Sequence, residues 1–439
     1  MLRLFLIVLL AAPSLLVATA SLAEEPTQPA EAPPQARERA SLWDRPELLR
    51  FEGGPRDWLE SHGIAVKLWL TQFYQGTIAG EGDHTWQYGG RGDVFLTTDF
   101  SKLGLWNGFS LNVHGEGVFG DDANFSGDGS LLPLNTAMAF PRLFGRDFDL
   151  SSVHFTQKFP WDIALSLGKI DMLDVATKTP LMSGGGILSF QNLAFAAPPS
   201  GLVPAAIFGG LLSVPIERVK LTLGIYDPQD ASAKTGLEEP FVEGVTGLLS
   251  ATVPLPIAGR PGYHSLSAKA NNKVGLDLDD LAGILLPSES EDVLGEKKGA
   301  WNVSYSFQQY LYADPNGSGG GWGIFGQIGR SDGNPTPFDW FGYIGLGGTS
   351  LIPSRSRDRF GAGFFYLSLS DDLVDGLGAL AAATGESDLL VGDEKGGELF
   401  YDAAITGWFH FALDLQVIDT HQAESEVAVV GGLRARLIF

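Results

Sequence analysis

The side chains best suited to chemistry recur at intervals of two. His114 and Glu116 form one such pair, Asp414 and Gln416 a second, and Arg434 and Arg436 a third. Successive side chains of an extended strand point to opposite faces, so each pair shares a face. The opposite parity is apolar. Val427, Val429, Leu433, Leu437 and the terminal Phe439 oppose the two arginines; Phe109 and Val113 oppose Ser110, Asn112, His114 and Glu116; Val94 and Leu96 oppose Asp93. His154, Trp408 and His410 fall on polar faces by the same reading. Guanidinium, imidazole, carboxylate and amide groups beside an indole supply planar donors, acceptors and a stacking platform. Such groups can bind a polar solute, and they call for no covalent step.

Asp93, His114, Glu116, His154, Trp408, His410, Asp414, Gln416, Arg434 and Arg436 are therefore candidates for the lining of an aqueous path. Arg142 joins them from a long connection, because an inward-folded loop commonly narrows such a path. Asp121–Leu150, which also carries Arg146, and Asp171–Val203 are the two segments that could do so. The apolar run Gly201–Ile207 predicts that part of the second packs against protein.

The elements that would carry these residues are short. From Ile64 onward about sixteen strand-like runs begin, near 64, 91, 108, 151, 162, 205, 217, 245, 262, 300, 322, 339, 358, 396, 412 and 426. Very short joins at Pro160-Trp161 and Pro215-Ile216 contrast with long segments at 120–150, 171–203, 227–244, 273–299 and 371–395. Outer-membrane barrels have short turns at one end and long loops at the other. Aromatic residues cluster at strand ends: Trp69, Phe73 and Tyr74; Trp86 and Tyr88; Trp106 and Phe109; Phe159 and Trp161; Trp340, Phe341 and Tyr343; Trp408 and Phe409. Such rings favour a membrane–water interface.

Residues 1–23 read as a signal peptide, with Arg3, an apolar run from Leu4 to Val17 and the small-x-small ending Ser21-Leu22-Ala23. Residues 24–45 read as a Pro/Glu-rich disordered spacer, 46–63 as a short periplasmic helical segment, and 64–439 as the barrel. No later run reaches the roughly 20 apolar residues of a membrane helix. Any membrane crossing is then by a closed sheet, in which every backbone group finds a partner. The 439 residues hold 57 glycines and no cysteine, so pairing and packing alone hold the fold. The net charge of −23 excludes a nucleic-acid partner, which needs a basic footprint. In a barrel it favours cations over anions.

Other motifs carry less. Gly321-Trp-Gly323-Ile-Phe-Gly326 has dinucleotide spacing but opens a strand rather than a helix. Asp122-Ala-Asn124-Phe-Ser126-Gly127-Asp128 begins like a calcium loop, yet Pro133 stands where the bidentate Glu belongs. No H-E-x-x-H or Walker motif occurs. No cofactor and no metal are expected.

Four stretches together resemble the bacterial carbohydrate-selective porins of the OprB type. They are Gly53-Gly54-Pro55-Arg56-Asp57-Trp58-Leu59 with His62-Gly63-Ile64; Leu165-Ser-Leu-Gly-Lys-Ile-Asp171 with Ser189-Phe190-Gln191-Asn192; Glu398-Leu-Phe-Tyr401 with Trp408 and Asp414-Leu-Gln416; and Gly432-Leu-Arg434 closing on Phe439. Glu52, Pro55 and Leu413 depart from the pattern, where the family has Trp, Leu and Pro. The resemblance implies an all-β, transmembrane, antiparallel up-and-down barrel of about sixteen strands in the bacterial outer membrane. It would pass carbohydrates or other small solutes by facilitated diffusion, and would not be an enzyme. Its partners would be sugars or solutes and outer-membrane lipid, with a homotrimer and a monomer both open. A general or cation-preferring porin on the same fold is the first alternative. An outer-membrane barrel enzyme and a secreted β-rich binding protein are the others.

Overall fold

Alternation of polar and apolar residues produces sixteen strands of 8 to 18 residues. In a computed structural model of the chain, residues 41–81, 84–124, 129–197, 199–200, 202–284, 295–314, 320–350, 352–422 and 425–439 are described. The signal peptide and most of the spacer lie outside them, as do Gly201 and residues 125–128 of the calcium-like loop.

The strands are β1 (Ile64–Ala79), β2 (Gln87–Asp99), β3 (Phe109–Gly120), β4 (Phe148–Lys158), β5 (Ala164–Asp171), β6 (Ala206–Ile216), β7 (Val219–Tyr226) and β8 (Thr246–Pro254), then β9 (Gly262–Leu276), β10 (Glu296–Ala313), β11 (Gly321–Ser331), β12 (Phe338–Thr349), β13 (Arg359–Leu369), β14 (Glu394–Ala404), β15 (Phe409–Asp419) and β16 (Ala428–Ile438). Each pairs antiparallel with the next, and β16 returns to β1 in the register Trp69↔Ile438 to Thr77↔Val430, which closes the barrel. The dinucleotide-like glycines lie in β11, and Pro215 and Ile216 end β6, so the tight join there is Glu217-Arg218.

The faces are those of a membrane barrel. Along β15, Phe411, Leu413, Leu415 and Val417 are 37–55% exposed, whereas Ala412, Asp414, Gln416 and Ile418 are 0–6% exposed. Large apolar side chains repeat outward in the same way on the other strands, from Val94 and Phe155 to Ile344 and Phe364. A continuous apolar outer surface is unfavourable in water and suits hydrocarbon. Trp106, Phe159, Trp161, Tyr88 and Trp340 stand exposed near strand ends. Phe73, Phe341 and Tyr343, expected in that girdle, instead point inward and are buried.

All the long connections (121–147, 172–205, 227–245, 277–295 and 370–393) emerge at one end. At the other end joins are brief, and there the helix Pro55–Ser61 packs against β1. Arg56 of this segment donates hydrogen bonds to the Phe439 and Val66 carbonyls and pairs with Glu47 at 2.9 Å. Phe439 in turn donates its N–H to the Leu68 carbonyl at 2.9 Å, so the quoted Gly-Gly-Pro-Arg stretch latches the seam between the first and last strands.

The connection 370–393 contains a 14-residue helix, Asp371–Thr384, capped by the Ser370 hydroxyl and ended by Gly385 in the left-handed conformation. Its signals (Ser, then Asp371-Asp372, then a closing glycine) were present in a segment read above only as a loop.

Arg56→Ala removes two charge-assisted hydrogen bonds at the seam, each worth about 1.5–3 kcal/mol. The barrel should still form, with a lower temperature midpoint for loss of the compact gel band. An unchanged midpoint would mean that the latch does not support closure.

Candidate functional site

Two of the long connections turn into the barrel. Leu134, Ala137, Met138, Phe190, Leu193, Ala194 and Phe195 are all 0% exposed although none lies in a strand. Phe190, Leu193, Ala194 and Phe195 pack on the inner wall of β11–β14, Ala137 and Met138 beside Phe73 of β1 and Val118 of β3, and Leu134 beside Ile418 of β15 and Val430 of β16. Phe190 lies 4.6 Å from Phe195, 4.9 Å from Phe400 and 5.7 Å from Phe325, and Phe195 meets Tyr343 and Phe365 at 5.9 and 5.8 Å. Edge-on and offset contacts of this kind add about 0.5–1.5 kcal/mol beyond area burial. Glycines in the wall make the room: a Cβ on Gly363 would stand 2.5 Å from the Phe195 ring, and one on Gly361 2.6 Å from Phe190.

Polar wall residues dock the loop backbone. Glu398 accepts from the Gln191 and Asn192 N–H groups at 2.6 and 3.0 Å, and Glu394 from those of Leu131 and Leu132 at 2.6 and 3.2 Å. Gln416 accepts from Asn192 Nδ2 at 3.0 Å and donates to the Leu134 carbonyl at 2.9 Å. Arg434 donates to the Ser189 carbonyl at 2.6 Å and to Asp402 at 3.2 Å. Arg436 donates to the Ile187 carbonyl at 3.1 Å, and Arg359 to those of Pro180 and Leu181, both at 3.3 Å. Lys169 holds Asp149 at 2.9 Å and the Lys234 carbonyl at 2.7 Å. Each of these charged groups finds at least one peptide group or opposite charge as a partner, as burial in a low-dielectric interior requires.

Accessible inward-facing side chains concentrate in the short-turn half of the strands. Lys67 and Thr97 are exposed, and Trp69, Asn112, His154, Thr156, Ser166, Gln308, Tyr310, Arg359 and His410 are half-buried. The Arg436 guanidinium lies 6.0 Å over the Trp69 ring. Together these form a polar inner surface, the lumen passage, bordered by the loop segment 180–189 and the three arginines that bind it.

The family model of the carbohydrate-selective porins, OprB family, matches residues 83–439. The chain belongs to this family. It is a porin of the bacterial outer membrane, a channel for diffusion of carbohydrates or small solutes. Among solved structures, the high-pH structure of Pseudomonas putida OprB is similar at 19% identity and a TM-score of 0.76, covering 88% of this chain and 97% of that one. The low-pH structure of the same protein is similar at 15% identity and a TM-score of 0.52, covering 90% and 99%. These likenesses show the porin fold. No curated protein sequence matches the chain.

In this porin the residues singled out by alternation separate into groups. Asp93, His114, Glu116, Asp414, Gln416, Arg434 and Arg436 face inward but are only 0–6% exposed. The loops cover them, so they hold the plug and do not form an open wall. His154 and His410 do face the passage; His410 Nδ1 lies 2.6 Å from Asp402, and His154 Nδ1 2.8 Å from the Ser152 hydroxyl. Trp408 is displaced from the expected lining. It sits in the turn after β14, donates to the Leu42 carbonyl at 2.9 Å and lies 6.2 Å from Trp43. Parity could not place it, because a turn has no period of two. Arg142 is likewise away from the passage, paired with Asp122 at 3.2 Å and Asp147 at 3.0 Å. Burial pushes the Asp122 carboxyl up, opposed by the Asn124 N–H and Arg142.

Glu394, Glu398, Arg359 and Arg91 also bind loop backbone, and alternation did not single them out. Glu398 was visible only as part of the quoted Glu-Leu-Phe-Tyr block. The structure explains that block: Glu398, Phe400, Gln416 and Arg434 all meet the segment Ser189-Phe190-Gln191-Asn192. Motifs remote in sequence are the two sides of one docking contact.

Glu398→Ala leaves two buried N–H groups without acceptors, weakening loop docking by roughly 3 kcal/mol or more. Single-channel current should become larger and noisier while the compact gel band is kept. Wild-type current and noise would show that Glu398 does not hold the plug.

Proposed function

We propose that this channel selects neutral, hydroxyl-rich solutes where half-buried Arg359, backed by the covered Arg434 and Arg436, meets loop segment 180–189. The supporting observation is the state of the guanidiniums. Each turns a terminal nitrogen to a loop carbonyl, and each keeps a buried Nε–H with no acceptor among the described residues. Arg359 is the half-buried member of the three, and a planar guanidinium suits the oxygens of a sugar, with Trp69 and Tyr310 offering faces for its C–H groups. Lys178 of the loop is exposed and Lys220 of β7 is half-buried, which adds two further cations to this reading.

The acidity of the whole chain does not carry to this point. Asp149 is paired with Lys169 and Asp402 with Arg434, Asp93 and Glu116 share Arg91 away from this point, and Glu394 and Glu398 bind loop N–H groups. The local field opposes cations, against the preference that bulk charge implies. The reading needs small solutes and outer-membrane lipid as partners, no second chain and no covalent chemistry.

Planar-bilayer current with glucose titrated in tests it. Arg359→Lys keeps the charge but loses the planar fork. Its half-blocking sugar concentration should rise about tenfold, the equivalent of ~1.4 kcal/mol, with ion selectivity little changed. Arg359→Ala should shift selectivity toward cations as well. Sugar block identical to wild type in both variants would overturn the assignment.

A further inference from the structure

A different cluster lies where the chain leaves β5 for the lumen. His114 on β3 faces two carboxylates of the loop root. Its Nδ1 is 2.9 Å from Asp174 Oδ2 and 3.6 Å from Asp171 Oδ2. Its Nε2 is 3.0 Å from Asp93 Oδ1, which also accepts from Arg91 Nε at 2.7 Å. The imidazole stacks on Phe95 with centroids 4.0 Å apart, so the ring is fixed in its plane.

We propose that His114, Asp171 and Asp174 form a divalent-cation site that pins the root of the inward loop to the barrel wall. Four observations support it. First, Asp171 is 2% exposed, and its Oδ2 has no hydrogen-bond partner while aimed at the imidazole; its Oδ1 is used by the Leu173 N–H at 2.8 Å. Second, Asp93 behind His114 fits the arrangement in which a ligating histidine donates its far N–H to a carboxylate and presents the near nitrogen to the ion. Third, the spacing suits an ion. Ligand atoms about 2.0–2.2 Å from one centre lie about 3–3.6 Å apart, and the two measured separations from Nδ1 are 2.9 and 3.6 Å.

Fourth, the charge is unbalanced. Asp93, Glu116, Asp171 and Asp174 stand around His114 with Arg91 as the one guanidinium among the described residues. With a neutral imidazole, four carboxylates against one cation leave three negative charges in excess. A proton on Nδ1 reduces that to two, and a divalent ion in its place reduces it to one. Asp174 is 29% exposed, which gives an ion and its remaining water ligand access from the lumen. One imidazole with carboxylates suits a first-row ion such as Zn²⁺ better than Ca²⁺, which prefers an all-oxygen shell. The site escapes motif reading because His114 and Asp174 are 60 residues apart and come together only when the loop folds inward.

The test is calorimetric titration of metal-stripped, detergent-folded protein with Zn²⁺ at neutral pH. One saturable event is expected, weakened at least about tenfold in Asp174→Asn, whose fold is checked by the compact gel band. Zinc-edge X-ray absorption of the loaded wild-type protein should show one imidazole nitrogen among oxygens, and does not depend on any variant folding. Absence of binding, binding undiminished in Asp174→Asn, or an all-oxygen shell would each overturn the site.

Discussion

A sheet in hydrocarbon has no place for a free edge, and every other feature of this porin follows from that constraint. Unpaired backbone groups in lipid cost several kcal/mol each, so β1 and β16 must find one another across the whole length of the chain. The register from Trp69↔Ile438 to Thr77↔Val430 does this, and Arg56 holds the junction by binding the last carbonyl of the chain. Once the ring is closed, alternation alone decides which side chains meet lipid and which meet the lumen.

The lumen then poses the opposite problem. It is wide enough to admit two connections whose peptide groups would be buried there without partners. The wall supplies those partners with charged groups: carboxylates of Glu394 and Glu398 for N–H groups, guanidiniums of Arg359, Arg434 and Arg436 for carbonyls. Apolar contacts fill the remaining space, with Gly361 and Gly363 admitting Phe190 and Phe195. Docking by charge has a consequence for transport. Acids paired with cations or bound to loop N–H groups are committed to holding the plug, and so are the terminal nitrogens of the three arginines.

Much of the fold was legible. Starts of strands fell within a few residues of those found, and the alternation of long and short connections correctly separated the two ends. The inward direction of Asp93, His114, Glu116, Asp414, Gln416, Arg434 and Arg436 followed from parity. Their burial did not, because parity reports a face and not what covers it. Trp408 and Arg142 were misplaced for a related reason: both lie outside strands, where no period applies. Phe73, Phe341 and Tyr343 looked like girdle residues until the plug gave them an apolar partner inside.

The sequence by itself determined the strands, their inward and outward faces and the closure on an aromatic end, since these depend on a local period of two and on chain order. It also carried, as separate blocks, the residues that dock the plug. Only the tertiary structure decided that those blocks are one contact, which connections enter the lumen, and which inward charges the loops cover. Contacts such as Glu398 with Gln191, or His114 with Asp174, join segments remote in the chain. No local pattern specifies them, because they exist only once the ring has closed and the loops have folded into it.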